Sequence, residues 1–129
     1  MDKAIYLAMT GGKHIERAQT VHANNMANAN TVTSTDGAAF QQRYITARAD
    51  SNGQGAYVAG AEFGSAEGRL VHEPDHPLAD EDGYVRYPDI DMSAQMGQLI
   101  MAQRGYQANA AIVDRARATY EAALQIGRN

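Results

Sequence analysis

Along the first thirty residues an apolar stripe runs through Ile5, Ala8, Met9, Gly12, Ile15, Gln19, His22 and Met26, stepping mostly by three and four and weakening toward its end. That period predicts a helix over residues 3–28, about 40 Å long at 1.5 Å per residue. Gly11 and Gly12 lie in its body, where each costs about 1 kcal/mol against alanine. They mark either a kink or frayed first turn, or a place where another backbone comes close. The helix closes on "HANNMANANTVTS", with Asn24, Asn25, Asn28 and Asn30 set among alanines and a methionine. Asparagine is a poor residue for a helix interior and a good one for caps and turns, so this much amide at a helix end needs a use.

The last third carries the longest regular pattern. Met92, Met96, Leu99, Gln103, Tyr106, Ala110, Val113, Arg117, Tyr120 and Leu124 alternate steps of four and three, a heptad seam with polar residues at Gln103 and Arg117. Asp89 or Asp91 can cap its start, just after Pro88, and Gly127 can end it. A helix over residues 91–126 runs on the order of 55 Å, longer than a compact domain of this size is wide. Its own chain cannot cover it. The first helix is one partner, and other copies of the chain are the next.

Between the helices the pattern changes. "AAFQQRYITARAD" alternates partially and holds β-branched and aromatic residues; "SNGQGAYVAGAEFGSAEG" reads as loop with one short strand. "RLVHE" and "YVRYP" read as short strands joined by the turn chemistry of "PDHPLADEDG". The expected architecture is mainly α: an N-terminal helix and a longer C-terminal helix packed as an antiparallel, coiled-coil-like pair, with a small β-rich insert between them. The expected divisions are residues 1–30, 31–90 and 91–129.

Composition narrows the function classes. The chain has 129 residues, no Trp and two Phe, so a thick core is hard to build from it alone. Its formal charge of -4 includes no basic stripe, which argues against nucleic acid. It has no cysteine, hence no disulfide, thiolate ligand or thiol nucleophile. The apolar run of "MDKAIYLAMTGG" is too short and broken for a cleaved secretory signal, and no stretch approaches a membrane span.

Catalytic and metal chemistry find little support. "HEPDH" gathers His72, Glu73, Asp75 and His76, ligand types for zinc, but Pro74 and Pro77 hold the segment extended and keep the two histidines apart. "LADEDGYV" has Asp80, Asp82 and Gly83, yet Leu78 stands where a calcium loop needs its first acid, and Tyr87 and Pro88 stand near its closing glutamate. Ser34, Ser51, Ser65 and Ser93 have no nucleophile-elbow context. "GAYVAGAEFG" lacks the lysine and following helix of a phosphate loop. The expectation is no enzyme, no cofactor and no functional metal.

"ANNMANANT" near the start and "LIMAQRGYQANAAI" near the end resemble the signature segments of the flagellar rod, hook and axial protein family. Asn24, Asn25, Ala27, Asn28, Ala29, Asn30 and Thr31 match the first signature. Ala102, Gln103, Arg104, Tyr106, Gln107, Ala108 and Asn109 match the second, with Gly105 where alanine is usual. "HEPDHPLADEDGYVRYPDIDMSAQM" and the short length are similar to the small proximal-rod members, whereas the opening "MDKAIYLAMTGG" looks closer to longer rod paralogues. Residues 48–68 match nothing in that pattern.

The resemblance implies a structural subunit of the basal-body rod in the periplasm. It implies export through the flagellar type III apparatus without a cleaved signal peptide, and helical polymerisation with other copies and other rod proteins around a central channel. On that reading the residues at contacts between copies are Asn24, Asn25, Met26, Asn28 and Asn30 on the first helix. On the second they are Met96, Leu99, Gln103, Tyr106, Gln107, Asn109, Val113 and Tyr120. Amides suit such contacts because they donate and accept at once. Two other classes compete: a secreted or soluble adaptor that binds through the β-rich insert, and a small cell-wall hydrolase, against which the missing catalytic constellation argues.

Overall fold

The computed structural model describes residues 2–52 and 56–128, with side chains from residue 9 onward, Ala56 apart. The Ile5 and Ala8 side chains of the first stripe, and residues 53–55 of the loop-like stretch, lie outside that description. The elements in order are α1 (Asp2–Asn28), β1 (Arg43–Ala49), β2 (Ala56–Phe63), β3 (Arg69–His72), β4 (Tyr84–Tyr87) and α2 (Met92–Gly127). The architecture is the expected one: two helices flanking a small β insert.

Helix α1 is continuous through Gly11 and Gly12. At Gly11 a side chain, rather than a backbone, comes close. A Cβ there would stand 3.2 Å from Asn109 Nδ2 of α2, and a Cβ on Gly105 would stand 3.2 Å from Ile15 Cδ1 of α1. With Asn25 bonded to Gln95, these pairs fix an antiparallel register along the two helices.

Asp91 caps α2. Its carboxylate accepts from the backbone N–H groups of Ser93 at 2.9 Å and Ala94 at 3.2 Å, satisfying donors that the first turn leaves open. The face of α2 turned toward α1 is not the heptad seam. The covered positions are Gln95, Leu99, Ala102, Gly105, Asn109, Val113 and Ala116; Met96, Gln103, Tyr106, Ala110 and Arg117 stand exposed beside them. Only Leu99 and Val113 belong to both sets. The reason is steric: small residues line the contact and let the helices close on each other, and the large side chains fall to the flanks.

The insert is two antiparallel hairpins, β1–β2 and β3–β4. Arg43 pairs with Phe63 and Ala49 with Ala56, with a register shift at Thr46–Ala47. The stretch read as loop with a short strand therefore contains an eight-residue strand. Its Ala and Gly content hides it, because its pairing comes from β1 rather than from an apolar alternation of its own. The β1–β2 hairpin lies against α1, with Arg17, Thr20, Val21, Ile45, Val58 and Ala61 lining an open gap of about 440 Å³ between them.

The second hairpin is tied to the segment after α1. Thr33 and Arg86 exchange backbone hydrogen bonds at 2.9 Å each way. The Arg86 guanidinium donates to Glu67 O and, at 2.9 Å, to Thr35 O. Gly68 adopts φ +59°, and a Cβ there would lie 2.6 Å from Ala39 Cβ, so only glycine fits. Among the described residues the buried apolar ones are few: Ala29, Ala39, Val85, Pro88 and Ile90.

Candidate assembly surface

Asn25 is fully buried and is the hub of the molecule. Its Oδ1 accepts from Arg43 N–H at 2.9 Å, and its Nδ2 donates to Arg43 O at 2.9 Å. The side-chain amide thus pairs with β1 as a neighbouring strand would. The same Nδ2 donates to Gln95 Oε1 at 3.2 Å, and His22 Nδ1 lies 2.9 Å from that oxygen. An amide oxygen only accepts, so His22 donates from Nδ1. Gln95, also buried, thereby joins α2 to α1 at the point where the hairpin begins. Neither Gln95 nor Arg43 stood out in the sequence, since their partners are far away along the chain.

The other asparagines divide their roles. Asn28 Nδ2 donates to Asn24 O at 2.9 Å within the helix, and its Oδ1 accepts from the Thr31 hydroxyl at 3.4 Å, which turns the chain out of α1. Asn24 Oδ1 is buried without a hydrogen-bond partner among the described residues. Met26 is half-buried and Asn30 is exposed. The amide cluster therefore serves first as a helix terminus and strand anchor inside one chain.

Along α2 the structure leaves apolar residues uncovered on several sides. Met96, Ile100, Met101, Tyr106, Ile112, Tyr120 and Leu124 are all exposed, Met101 at 73%. Gln103 and Gln107 lie on the same open surface. Between the helices, Met9, Gly12, Lys13, Tyr106, Asn109 and Val113 line an open groove of about 310 Å³. The whole chain exposes 8927 Å², against about 6,700 Å² expected of a compact protein of this mass. The excess, roughly 2,300 Å², is the scale of a specific protein–protein interface.

The residues weighed as metal ligands have local work. Glu73 Oε1 accepts from the Tyr87 hydroxyl at 2.9 Å. His72 packs edge-on against Tyr84, with ring centroids 5.0 Å apart, and His76 Nδ1 accepts from Leu78 N–H at 3.1 Å. Asp80 organises the acidic turn: Oδ1 accepts from Tyr84 N–H at 2.8 Å and Asp82 N–H at 3.0 Å, and Oδ2 accepts from the Thr35 hydroxyl at 3.0 Å. The bond from Tyr84 N–H is the largest reason its pKa falls below the ordinary carboxylate value. Tyr87 is shifted the other way, its pKa raised above 10.0 chiefly by donating to Glu73. Among the described residues no three acidic or histidine side chains gather as a metal site, and no helix is long and apolar enough to cross a membrane.

Residues 81–126 match the family model described as flagellar basal body rod FlgEFG protein C-terminal. Over 112 residues the chain is 38% identical to the flagellar basal-body rod protein FlgC of Yersinia enterocolitica, covering 84% of each chain. It is 35% identical to FlgC of Salmonella typhimurium over the same length and coverage. A more distant FlgC, from Borreliella burgdorferi, is 29% identical over 144 residues and 95% of each chain.

Proposed function

Because the chain belongs to the FlgC family of flagellar basal-body rod proteins, we propose that it builds the rod by helical polymerisation, with residues 1–30 and 91–129 as the axial packing segments around an export channel. The observation that carries this reading is the uncovered apolar surface of α2. Burying a side chain such as Met96, Ile100 or Tyr120 against a neighbour contributes about 1.5–3 kcal/mol each, and these side chains stand exposed in the single chain. Repetition of one contact between unlike patches gives an open helical array.

The contact residues follow from this surface. Met96, Gln103, Tyr106, Gln107 and Tyr120 meet neighbouring copies from the exposed flanks of α2. Leu99, Asn109 and Val113 reach them from the edge of the groove against α1. Asn24, Met26, Asn28 and Asn30 border the same assembly where α1 ends, and Asn25 sets its geometry from inside. The chain acts mechanically, without catalysis or cofactor. It reaches the periplasmic basal body through the flagellar export apparatus with its N-terminus uncleaved, and joins other rod proteins there.

The test is genetic and biochemical together. Basal bodies purified from cells carrying the gene should contain the chain at several copies per rod, with its first residue retained by mass spectrometry. Cells lacking it should make no rod and should not swim. Normal rods in its absence would overturn the proposal.

A further inference from the structure

We propose that a recess on α1 formed by Lys13, His14 and Arg17 receives the acidic turn of a second copy, with Glu81 and Asp82 as the incoming groups. This deepens the polymerisation reading and rests on it. The recess has a volume of about 220 Å³, and Thr10, Tyr57 and Val58 complete its walls. Lys13 and Arg17 are exposed, one helical turn apart on the same face. His14 follows Lys13 on the wall of the recess. The patch therefore carries the positive charge of Lys13 and Arg17.

The acidic turn is the complementary knob. Asp80 holds it by accepting from Asp82 N–H, Tyr84 N–H and the Thr35 hydroxyl. Gly83 closes it at φ +79°, with its N–H donating to Asp80 O at 3.0 Å. Glu81 and Asp82 are left exposed at the tip. Two carboxylates on a turn already held rigid lose little freedom on docking.

Knob and recess do not meet within one chain: among the described residues α1 makes no contact with β3 or β4, the strands that the turn joins. The contact is between copies and heterologous, which is the form an open filament needs. Rim charges of this kind set register and association rate more than raw affinity. They complement an apolar surface on α2 that says little about which copy goes where.

The experiment is a charge exchange in cells whose own gene has been replaced. Lys13→Glu/Arg17→Glu reverses the recess, Glu81→Lys/Asp82→Lys reverses the knob, and a third strain carries all four changes. Rods are counted in isolated basal bodies, with the unchanged chain alongside, and circular dichroism of each purified variant reports its helix content. Each reversal should lower rod number tenfold or more, and the four-residue exchange should recover it to within about threefold of the unchanged chain.

Wild-type rod numbers in either reversal would overturn the proposal. So would an exchange no better than its parents. Should a reversal lose helix content, the neutral pairs Lys13→Gln/Arg17→Gln and Glu81→Gln/Asp82→Asn replace it. These should each cost at least threefold, and wild-type numbers in either would again overturn the proposal. If only the recess changes matter, its occupant is some other acidic group and the knob assignment falls. Any of these results leaves the rod reading standing; absence of the unchanged chain from basal bodies would remove that reading itself.

Discussion

Replacing Asn25 by alanine removes three hydrogen bonds at once: two to the Arg43 backbone at 2.9 Å and one to Gln95 Oε1 at 3.2 Å. Gln95 Oε1 keeps His22 as a donor, so it is not orphaned. Arg43 N–H and C=O lose their partner, and Arg43 is exposed enough for water to reach part of that edge. Each lost bond costs about 0.5–1.5 kcal/mol, rising toward about 3 where the remaining group stays dry. The sum is about 2–4 kcal/mol. Hydrogen exchange on the monomer reads this at the Arg43 amide, where protection should fall by about 30- to 1000-fold.

Asn25→Asp is the sharper variant, because it keeps the shape. One carboxylate oxygen still accepts from Arg43 N–H, but the other faces Arg43 O and Gln95 Oε1, both acceptors. A buried charge against two acceptors costs at least as much as the alanine at neutral pH. That environment raises the carboxyl pKa in the folded state. The variant should therefore regain stability as the pH falls through the raised value, where the protonated oxygen can donate. If both variants leave Arg43 protection within a factor of two, the amide does not anchor β1 and the reasoning fails.

Val113→Asp places a carboxylate on the half-covered edge of α2, costing about 3 kcal/mol or more wherever a neighbour buries it. Rods should fail to form, and swimming assays with separate export measurements would show it. Tyr106→Ala should lower the melting temperature of the monomer little, since the ring is 49% exposed, yet weaken assembly by roughly 3 kcal/mol per contact; Glu121 and Arg128 substitutions serve as controls and should do little. Gly105→Ala should be neutral or stabilising by up to about 1 kcal/mol in thermal unfolding, because the Ile15 methyl 3.2 Å away is the movable end of its side chain. Gly68→Ala should unfold the second hairpin, because its Cβ has backbone in its way. The Tyr87 hydroxyl should titrate above 10.0 by ultraviolet difference absorbance and return toward it in Glu73→Ala. Its bond to Glu73 stabilises fully below pH 10 and is lost as the pH climbs through the raised value.

Both helices were legible because their signals are local: a helical period in each and, for α2, an aspartate at the cap with a proline before it. The face of α2 turned to α1 was not, for two reasons. Apolar residues surround that helix on all sides, as Ile100, Met101 and Ile112 show, so the heptad was one of several stripes. Beside Leu99 and Val113, the true contact is made by Gln95, Ala102, Gly105, Asn109 and Ala116, small or polar residues that hydrophobicity does not highlight. The second strand was hidden similarly, its alanines and Gly60 reading as loop until Arg43–Ala49 supplied a partner. At the candidate site the asparagines were visible as a group, but their division of labour was not. Asn25 differs from Asn24 only by pointing at residues 18 and 70 positions away.

Those two separations also set an order of events when the chain folds. Closing an 18-residue loop costs less entropy than closing one of 70, by about 1.2 kcal/mol on the (3/2)RT ln n scale. Asn25 can therefore seize the edge of β1 while α2 is still unattached, and the first helix with its hairpin forms a platform. Gln95 then arrives last, accepting from an Asn25 already held in place. The long helix is thus the later arrival, docking on a unit that shorter-range contacts have already assembled.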